Sequence, residues 1–173
     1  AHNATLPFTR NVIVPMDYTP CTFSDSQHKH ITTHAHELAL PVLFESPLLH
    51  WADKPESYLV QPQEVKNFMS ALPTTWDETR LLGGYPGEWV VIARRCGTTW
   101  YVAGINGKDT ALTISFDASF LPKDKYTLFT DKPGYKGELP ANNPNPWSIK
   151  KGKGKIPGKI TCLPRGGFVY VIN

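Results

Sequence analysis

The sequence predicts a mainly β fold, in which an α-rich segment precedes an antiparallel β-sandwich. After Trp76, short runs of apolar or alternating residues recur between turns rich in Gly, Asn, Asp and Pro. Before Pro73, apolar residues recur at helical spacing instead. The 173 residues, of which 40% are apolar, suffice for a packed core. We therefore divide the chain into residues 1–75 and 76–173, and expect the second part to fold as an independent sandwich.

Two helices are predicted in the α-rich part. The first covers Thr33–Phe44, with Thr32 or Thr33 as its N-cap. Pro41 lacks a backbone N–H, so it should kink or shorten this helix. The second helix covers Pro62–Leu72, with proline in its first turn and its apolar residues on one face. An irregular connection is expected between the two.

Six strands are predicted in the second part, because each run is short and either apolar or alternating. The runs are Glu88–Ala93, Thr98–Ala103, Ala111–Phe116, Tyr126–Phe129, Lys159–Leu163 and Gly167–Ile172. Turns are expected at Arg94–Gly97 and at Asn106-Gly107. This number of short strands, joined by such turns, is typical of an antiparallel sandwich.

The charge distribution argues against a nucleic-acid-binding protein. The net charge is +3, and the basic residues are scattered except in Lys150–Lys159. A nucleic-acid interface would place such a patch within a recognisable reading module, and the sequence contains none. We interpret the patch as lysines at the margin of a sheet, where they discourage pairing with other chains.

Cysteine spacing and hydropathy exclude two further classes. Cys21, Cys96 and Cys162 are widely separated and form no CxxC pair, which argues against a zinc site and a disulfide framework. We expect three separate thiols, although one bridge among them stays open. No run of about 18 apolar residues is present, so the sequence predicts no membrane span.

Three longer motifs resemble one enzyme family. They are LPFTRNVIVPMDYTP at residues 6–20, THAHELALPVLFESPLLHWADKPESY at residues 33–58 and LPTTWDETRLLGGYPGEWVVIARRCGTTWYVAGING at residues 72–107. In this order and spacing they resemble the C-terminal third of glycoside hydrolase family 97. The resemblance extends over essentially the whole chain.

The resemblance implies an enzyme with an N-terminal β-sandwich, a (β/α)8 barrel and a C-terminal β-domain. Residues 1–75 would be the last segments of the barrel, and residues 76–173 the C-terminal domain. The implied activity is hydrolysis of α-glucosides or α-galactosides by two carboxylates, with a calcium ion, in a periplasmic or secreted enzyme. A barrel needs about 200 residues to close, so we expect an incomplete active site here. The implied partners are the remainder of the enzyme and an oligosaccharide or α-glycoside substrate.

Asp17 and Tyr18 are the candidate substrate-binding residues. They follow Asn11–Val14, which suits a last barrel strand, and barrel enzymes bind substrate at the C-terminal ends of their strands. Asp17 would accept a hydrogen bond from a sugar hydroxyl, or else cap a turn. Tyr18 would contact the sugar, or else anchor the loop as a buried side chain. The resemblance places the catalytic carboxylates upstream, so no catalytic residue and no metal ligand is assigned.

The histidines at positions 28, 30, 34 and 36 raise the hypothesis of a metal site. His30 and His34 have the i,i+4 spacing with which a helix holds a metal ion. However, Leu40 stands where an HExxH motif needs its second histidine, and no carboxylate or cysteine set has ligand spacing. We favour a polar helix start in which His34 or His36 bonds to a neighbouring segment.

The aromatic residues raise the hypothesis of a carbohydrate-binding module. Trp89 and Trp100 lie in strong strand patterns and are expected in the core, while Trp76 should pack at the junction of the two parts. Tyr135 and Trp147 lie in Gly-, Pro- and Asn-rich loops and are the candidates for stacking on a sugar. A non-catalytic binding module is therefore the alternative function, and a domain that only stabilises the barrel is a third.

Overall fold

The computed structural model describes residues 1–25, 29–134 and 146–173. Two short 3-10 turns open the chain, at His2–Ala4 and Leu6–Phe8. The α-helices are α1 (Arg10–Ile13), α2 (His34–Leu43), α3 (Pro55–Leu59) and α4 (Gln63–Ala71). The strands are β1 (Glu78–Tyr85), β2 (Trp89–Cys96), β3 (Thr99–Asn106), β4 (Leu112–Ser115), β5 (Asp124–Asp131), β6 (Trp147–Gly154), β7 (Lys159–Cys162) and β8 (Gly167–Ile172).

The strands form two antiparallel sheets that pack face to face. The larger sheet has six strands in the order β1-β2-β3-β8-β5-β6, and the smaller one pairs β4 with β7. Between them lies a core to which β2 contributes Val91 and Ala93, β4 contributes Ile114 and β8 contributes Phe168. This arrangement confirms the predicted mainly β, antiparallel fold.

Helices α2 and α4 cover the opposite face of the six-stranded sheet. Because side chains alternate along a strand, Val90 and Ile92 point to this face. They belong to one buried cluster that also contains Leu38 of α2 and Phe68 of α4. The apolar core is therefore continuous across residue 75, where the sequence suggested a division.

Helix α2 confirms the first predicted helix and shows why Pro41 does not break it. The proline cannot donate to the Glu37 carbonyl one turn earlier. The thiol of Cys21 donates to that carbonyl instead, at 3.0 Å. A side chain from another segment thus satisfies the backbone oxygen that proline leaves unpaired, and the helix continues to Leu43.

Two extended segments on either side of α2 run parallel to each other. The backbone N–H of Met16 donates to Glu45 O at 3.0 Å, Tyr18 forms a parallel bridge with Leu49, and Ala52 N–H donates to Pro20 O at 3.0 Å. We call residues 16–20 and 45–52 the parallel pair. A strand, a helix and a parallel strand form the repeating unit of a (β/α)8 barrel.

The structure contradicts two local predictions. The expected barrel strand at Asn11–Val14 is wrong, because α1 occupies Arg10–Ile13 and the extended segment starts only afterwards. Four apolar or small residues are too few for a period to distinguish helix from strand. A hairpin turn joins β2 to β3 as expected, but its predicted position at Arg94–Gly97 is wrong: Cys96 pairs with Thr99, and the turn is formed by the two residues between them.

Besides the two opening 3-10 turns, three elements lie outside the ranges of the predicted helices and strands. Helix α3 lies within the connection that was expected to be irregular. Strand β1 contains two adjacent glycines, and β6 contains the lysine-rich stretch, so neither has a clear alternating pattern. Both are edge strands of the six-stranded sheet, where one side of the backbone has no partner strand.

Candidate functional site

The parallel pair ends at a polar cleft. Since the two segments run in the same direction, Pro20 and Ala52 lie at the same end of the pair. A cleft of about 470 Å³ opens beyond them. It is lined by Thr22, Ser24, His30, Glu37, Asp53 and Lys54, among others. In a barrel this is the end that carries the active site.

The two candidate substrate-binding residues occupy different environments. Asp17 is exposed to solvent. Tyr18 packs against the core under α2, with its ring edge-on to Phe44 at a centroid separation of 4.7 Å. Burial, together with the nearby Glu37, raises the pKa of the Tyr18 hydroxyl to about 12. Asp17 is therefore accessible to a ligand and Tyr18 is held against the helix. Neither residue lines the cleft, and substrate contact by either one stays a prediction.

Glu37 is a lining residue that the sequence analysis did not single out for this site. Its Oε1 accepts a hydrogen bond from the Thr32 hydroxyl at 2.5 Å, and its Oε2 accepts one from Thr22 N–H at 3.4 Å. Burial raises the pKa of this carboxyl above its ordinary value, although these hydrogen bonds act in the opposite direction. In a sequence, a glutamate in the first turn of a helix is ordinarily explained by its stabilising effect on the helix. No local pattern therefore indicates that Glu37 also lines a cleft.

Three of the four clustered histidines are described, and the rings of His30 and His34 stack on each other with centroids 5.6 Å apart. His30 Nδ1 lies 2.6 Å from Asp25 Oδ1, and His30 Nε2 lies 2.5 Å from the Thr22 carbonyl oxygen. His34 stacks on Phe23 with ring centroids 5.0 Å apart. The fourth, His28, lies outside the described residues.

The predicted bond between a histidine and a neighbouring segment is found at His36. Its Nε2 lies 3.0 Å from Asn3 Nδ2, which belongs to the opening turn of the chain. In the described residues, no three His, Cys, Asp or Glu side chains stand close enough together to hold a metal ion. This part of the chain therefore presents no ligand set that fits the calcium ion implied by the resemblance.

Two of the five tryptophans are buried in the core, and the other three pack against it while partly exposed. Trp100 is buried between the sheets, and Trp76 packs edge-on to Tyr101 at 5.4 Å, both as predicted. Trp147 is buried as well, and its indole N–H donates to Gln61 Oε1 at 2.9 Å. The prediction that Trp147 stacks on a sugar is therefore wrong, because its ring is covered. Tyr135, the other candidate, lies outside the described residues.

The first half of the lysine-rich stretch, residues 150–154, lies in the edge strand β6, which confirms its interpretation as a sheet margin. Lys150, Lys151 and Lys153 are exposed along it, and the ammonium of Lys151 pairs with Glu64 of α4 at 3.0 Å. All three cysteines are free thiols. The helices that the structure describes are all too short or too polar to traverse a bilayer.

Comparison with known proteins gives a consistent result for the whole chain. The family model described as "Glycosyl-hydrolase 97 C-terminal, oligomerisation" matches residues 75–173. A probable retaining alpha-galactosidase from Streptomyces bingchenggensis is 48% identical over 103 residues, which cover 60% of this chain and 16% of that protein. A retaining alpha-galactosidase from Bacteroides thetaiotaomicron is 36% identical over an alignment of 187 residues, covering 99% of this chain and 27% of that protein.

Solved structures agree with the sequence comparisons. A glycoside hydrolase family 97 enzyme from Pseudoalteromonas sp. strain K8, solved in complexes with panose and with acarbose, superposes with a TM-score of 0.82 at 30% identity. The superposition covers 99% of this chain and 28% of that one. The chain thus spans between 16% and 28% of the length of these relatives.

Proposed function

Since the chain belongs to glycoside hydrolase family 97, we propose that it supplies the end of a catalytic (β/α)8 barrel and the β-domain behind it. The observation that carries this proposal is the parallel pair joined by α2. Apolar side chains beside the pair are exposed: Val12 is 71%, Ile13 is 79% and Leu48 is 60% accessible. A surface of this kind is what the preceding strands and helices of a barrel would cover.

The proposed reaction of the whole enzyme is hydrolysis of α-glycosidic bonds, with α-galactosides as the first substrates to test. Both curated relatives are named retaining alpha-galactosidases, whereas the Pseudoalteromonas enzyme was solved with panose and acarbose. A retaining hydrolase needs two carboxyl groups roughly 5–5.5 Å apart across the scissile bond. We place this pair on barrel segments outside the chain, and give Asp17 the role of accepting a hydrogen bond from a sugar hydroxyl.

The calcium ion and the periplasmic or secreted location belong to the same proposal. Both rest on the family resemblance alone, and no residue of this chain is assigned to the metal. Fractionation of the source cells, with activity followed in each compartment, tests the location.

A structural role of the β-domain is supported by the contacts at both ends of α2. At the N-terminal end, Asp131 of β5 accepts hydrogen bonds from Thr33 Oγ1 at 2.7 Å and from Ala35 N–H at 3.0 Å. At the C-terminal end, the guanidinium of Arg94 in β2 donates to Leu43 O at 3.3 Å. An anion at the N-terminus and a cation at the C-terminus both complement the helix dipole. We propose that the β-domain fixes the barrel helix between the two parallel segments in this way.

The close approach of β8 to helix α2 depends on one glycine. A Cβ on Gly167, at the start of β8, would lie 2.8 Å from His36 Cα and 3.0 Å from Ala35 O. Only glycine lets the strand approach the helix backbone so closely.

The experiment compares the isolated chain with the full-length enzyme on nitrophenyl α-galactoside and nitrophenyl α-glucoside. We expect turnover by the full-length enzyme only, because the barrel in this chain is incomplete. In the full-length enzyme, Asp17→Asn should raise KM about tenfold, as expected for a lost charged hydrogen bond. Asp117→Asn, an exposed aspartate between β4 and β5, is the matched control and should leave KM unchanged. Turnover by the isolated chain would refute the proposal.

A further inference from the structure

Cys21 adopts a backbone conformation that residues other than glycine rarely take. It follows the first segment of the parallel pair with φ at +67°, and its side chain is fully buried. Such a left-handed conformation is strained in a residue with a Cβ, and persists only where surrounding contacts impose it. The structure must therefore hold the bend at Cys21 from outside.

The carboxylate of Asp53 holds the residues that follow the bend. Its Oδ2 accepts hydrogen bonds from the backbone N–H groups of Phe23 and Ser24, at 2.8 and 2.7 Å. Its Oδ1 accepts one from the Ser24 hydroxyl at 2.7 Å. Asp53 itself comes directly after the second segment of the parallel pair. One side chain thus ties together the loops that leave the two parallel segments.

The hydroxyl of Tyr58 closes the same connection from the other side. It donates to the Cys21 carbonyl oxygen at 2.9 Å and accepts from Asp53 N–H at 2.6 Å. Tyr58 therefore binds the carbonyl group of Cys21 at the bend, and Asp53 binds the backbone N–H groups of the residues after it. We call these two side chains the loop clasp.

We propose that Asp53 and Tyr58 are positioning residues, which fix the loop at Cys21–Asp25 and thereby shape the cleft at the end of the parallel pair. The role in substrate binding rests on the proposed function, whereas the role in holding the loop does not. Both Ser24 and Asp53 line the 470 Å³ cleft. The clasp therefore sets the distance between the two loops that a substrate would meet there.

The first test uses the three free thiols of the chain as reporters. Cys21 and Cys162 are buried, in the loop and in the β-domain respectively, while Cys96 is partly exposed. Wild type, Tyr58→Phe and Asp53→Asn are labelled with a maleimide under native conditions, and each site is quantified by peptide mass spectrometry. We expect labelling of Cys21 to accelerate at least tenfold in both variants, with Cys96 and Cys162 unchanged. Tyr85→Phe, which removes an exposed hydroxyl from β1, is the matched control.

Two outcomes of the labelling would overturn the loop clasp. One is an unchanged rate at Cys21 in both variants. The other is an equal acceleration at Cys162 in both, since that would show a loss of overall stability instead of a local release.

The second test separates positioning from structure by kinetics in the full-length enzyme. Tyr58→Phe should raise KM for nitrophenyl α-galactoside about fivefold while kcat changes less than twofold, because the catalytic carboxylates lie elsewhere. An unchanged KM, in a variant whose Cys21 labels rapidly, would refute the positioning role. If the wild-type enzyme itself has no glycosidase activity, the proposed function fails, while the labelling result still decides whether the clasp holds the loop.

Discussion

Burial keeps two histidines of α2 neutral over most of the acid range. It lowers the pKa of His34 to about 4 and that of His36 to about 3, from an ordinary 6.5. The unfolded chain binds protons at both imidazoles below about pH 6.5, whereas the folded chain does not. The free energy of unfolding is therefore unaffected by these two histidines above about pH 7, and it decreases as the pH falls below that value. Each histidine costs up to about 1.4 kcal/mol per pH unit in that window.

We expect the thermal midpoint to drop between pH 7 and pH 5, as measured by circular dichroism. Asp131 acts in the opposite direction, because burial raises its carboxyl pKa to about 6, and stabilisation from its protonation is lost as the pH rises through that value. Glu37 acts in the same direction as Asp131, because burial raises the pKa of its carboxyl as well. We expect the effect of the two histidines to be the larger one, because both take up protons in the unfolded chain within this pH range. The substitution His34→Gln should make the thermal midpoint depend less on pH. The substitution His50→Gln, at an exposed position, should not. An unchanged slope in His34→Gln would contradict the assignment.

The residues that shape the site differ in how far sequence can identify them. Asp17 was proposed because it follows an apolar run and precedes a turn signal. That run lies mostly in α1, and the contact of Asp17 with substrate stays a prediction. Asp53 and Asp131 could not be found, because their hydrogen-bond partners lie about 30 and nearly 100 residues away. A carboxylate that satisfies distant backbone groups leaves no periodic signal in its own neighbourhood.

At the level of elements, the attachment of α2 to the sheet rests on charges at its two ends. Asp131→Ala leaves Ala35 N–H and the Thr33 hydroxyl without their acceptor, so we expect a loss of about 2 kcal/mol in the free energy of unfolding. Urea denaturation followed by circular dichroism measures this loss. Asp124→Ala, an exposed aspartate at the start of the same strand, should change stability by less than about 0.5 kcal/mol. Equal effects of the two substitutions would rule out the helix-end role of Asp131.

The elements that sequence predicts well are those with a clear period and buried faces. Helices α2 and α4 lie within one residue or so of the predicted ranges, and β8 matches its prediction. Strands β1 and β6 are missing from the six predicted strands because an edge strand has one unpaired side and tolerates glycine and lysine, although the lysines of β6 did indicate a sheet margin. The parallel pair escaped detection because its contacts depend on the α2 crossover, which no local pattern encodes.

At the scale of the whole molecule, the continuous core bears on how the β-domain behaves alone. Val90, Ile92, Ala103 and Val169 face α2 and α4 and are buried only while these helices are present. We expect residues 76–173, expressed alone, to bind the dye ANS and to self-associate, unlike the complete chain. Analytical ultracentrifugation and ANS fluorescence make the comparison. A monomeric, non-binding fragment would show instead that the sandwich is independent, as the sequence alone suggested.

The two lateral strands of the six-stranded sheet have unequal capacity for assembly. A sheet with two open sides can recruit further copies without limit and so elongate into fibrils. Here the lysines of β6 discourage pairing with a strand of another copy. Among the described strands, β1 is therefore the edge of this sheet that can pair with one. Growth by strand addition would therefore stop at two copies related by a twofold axis, a finite product rather than a polymer.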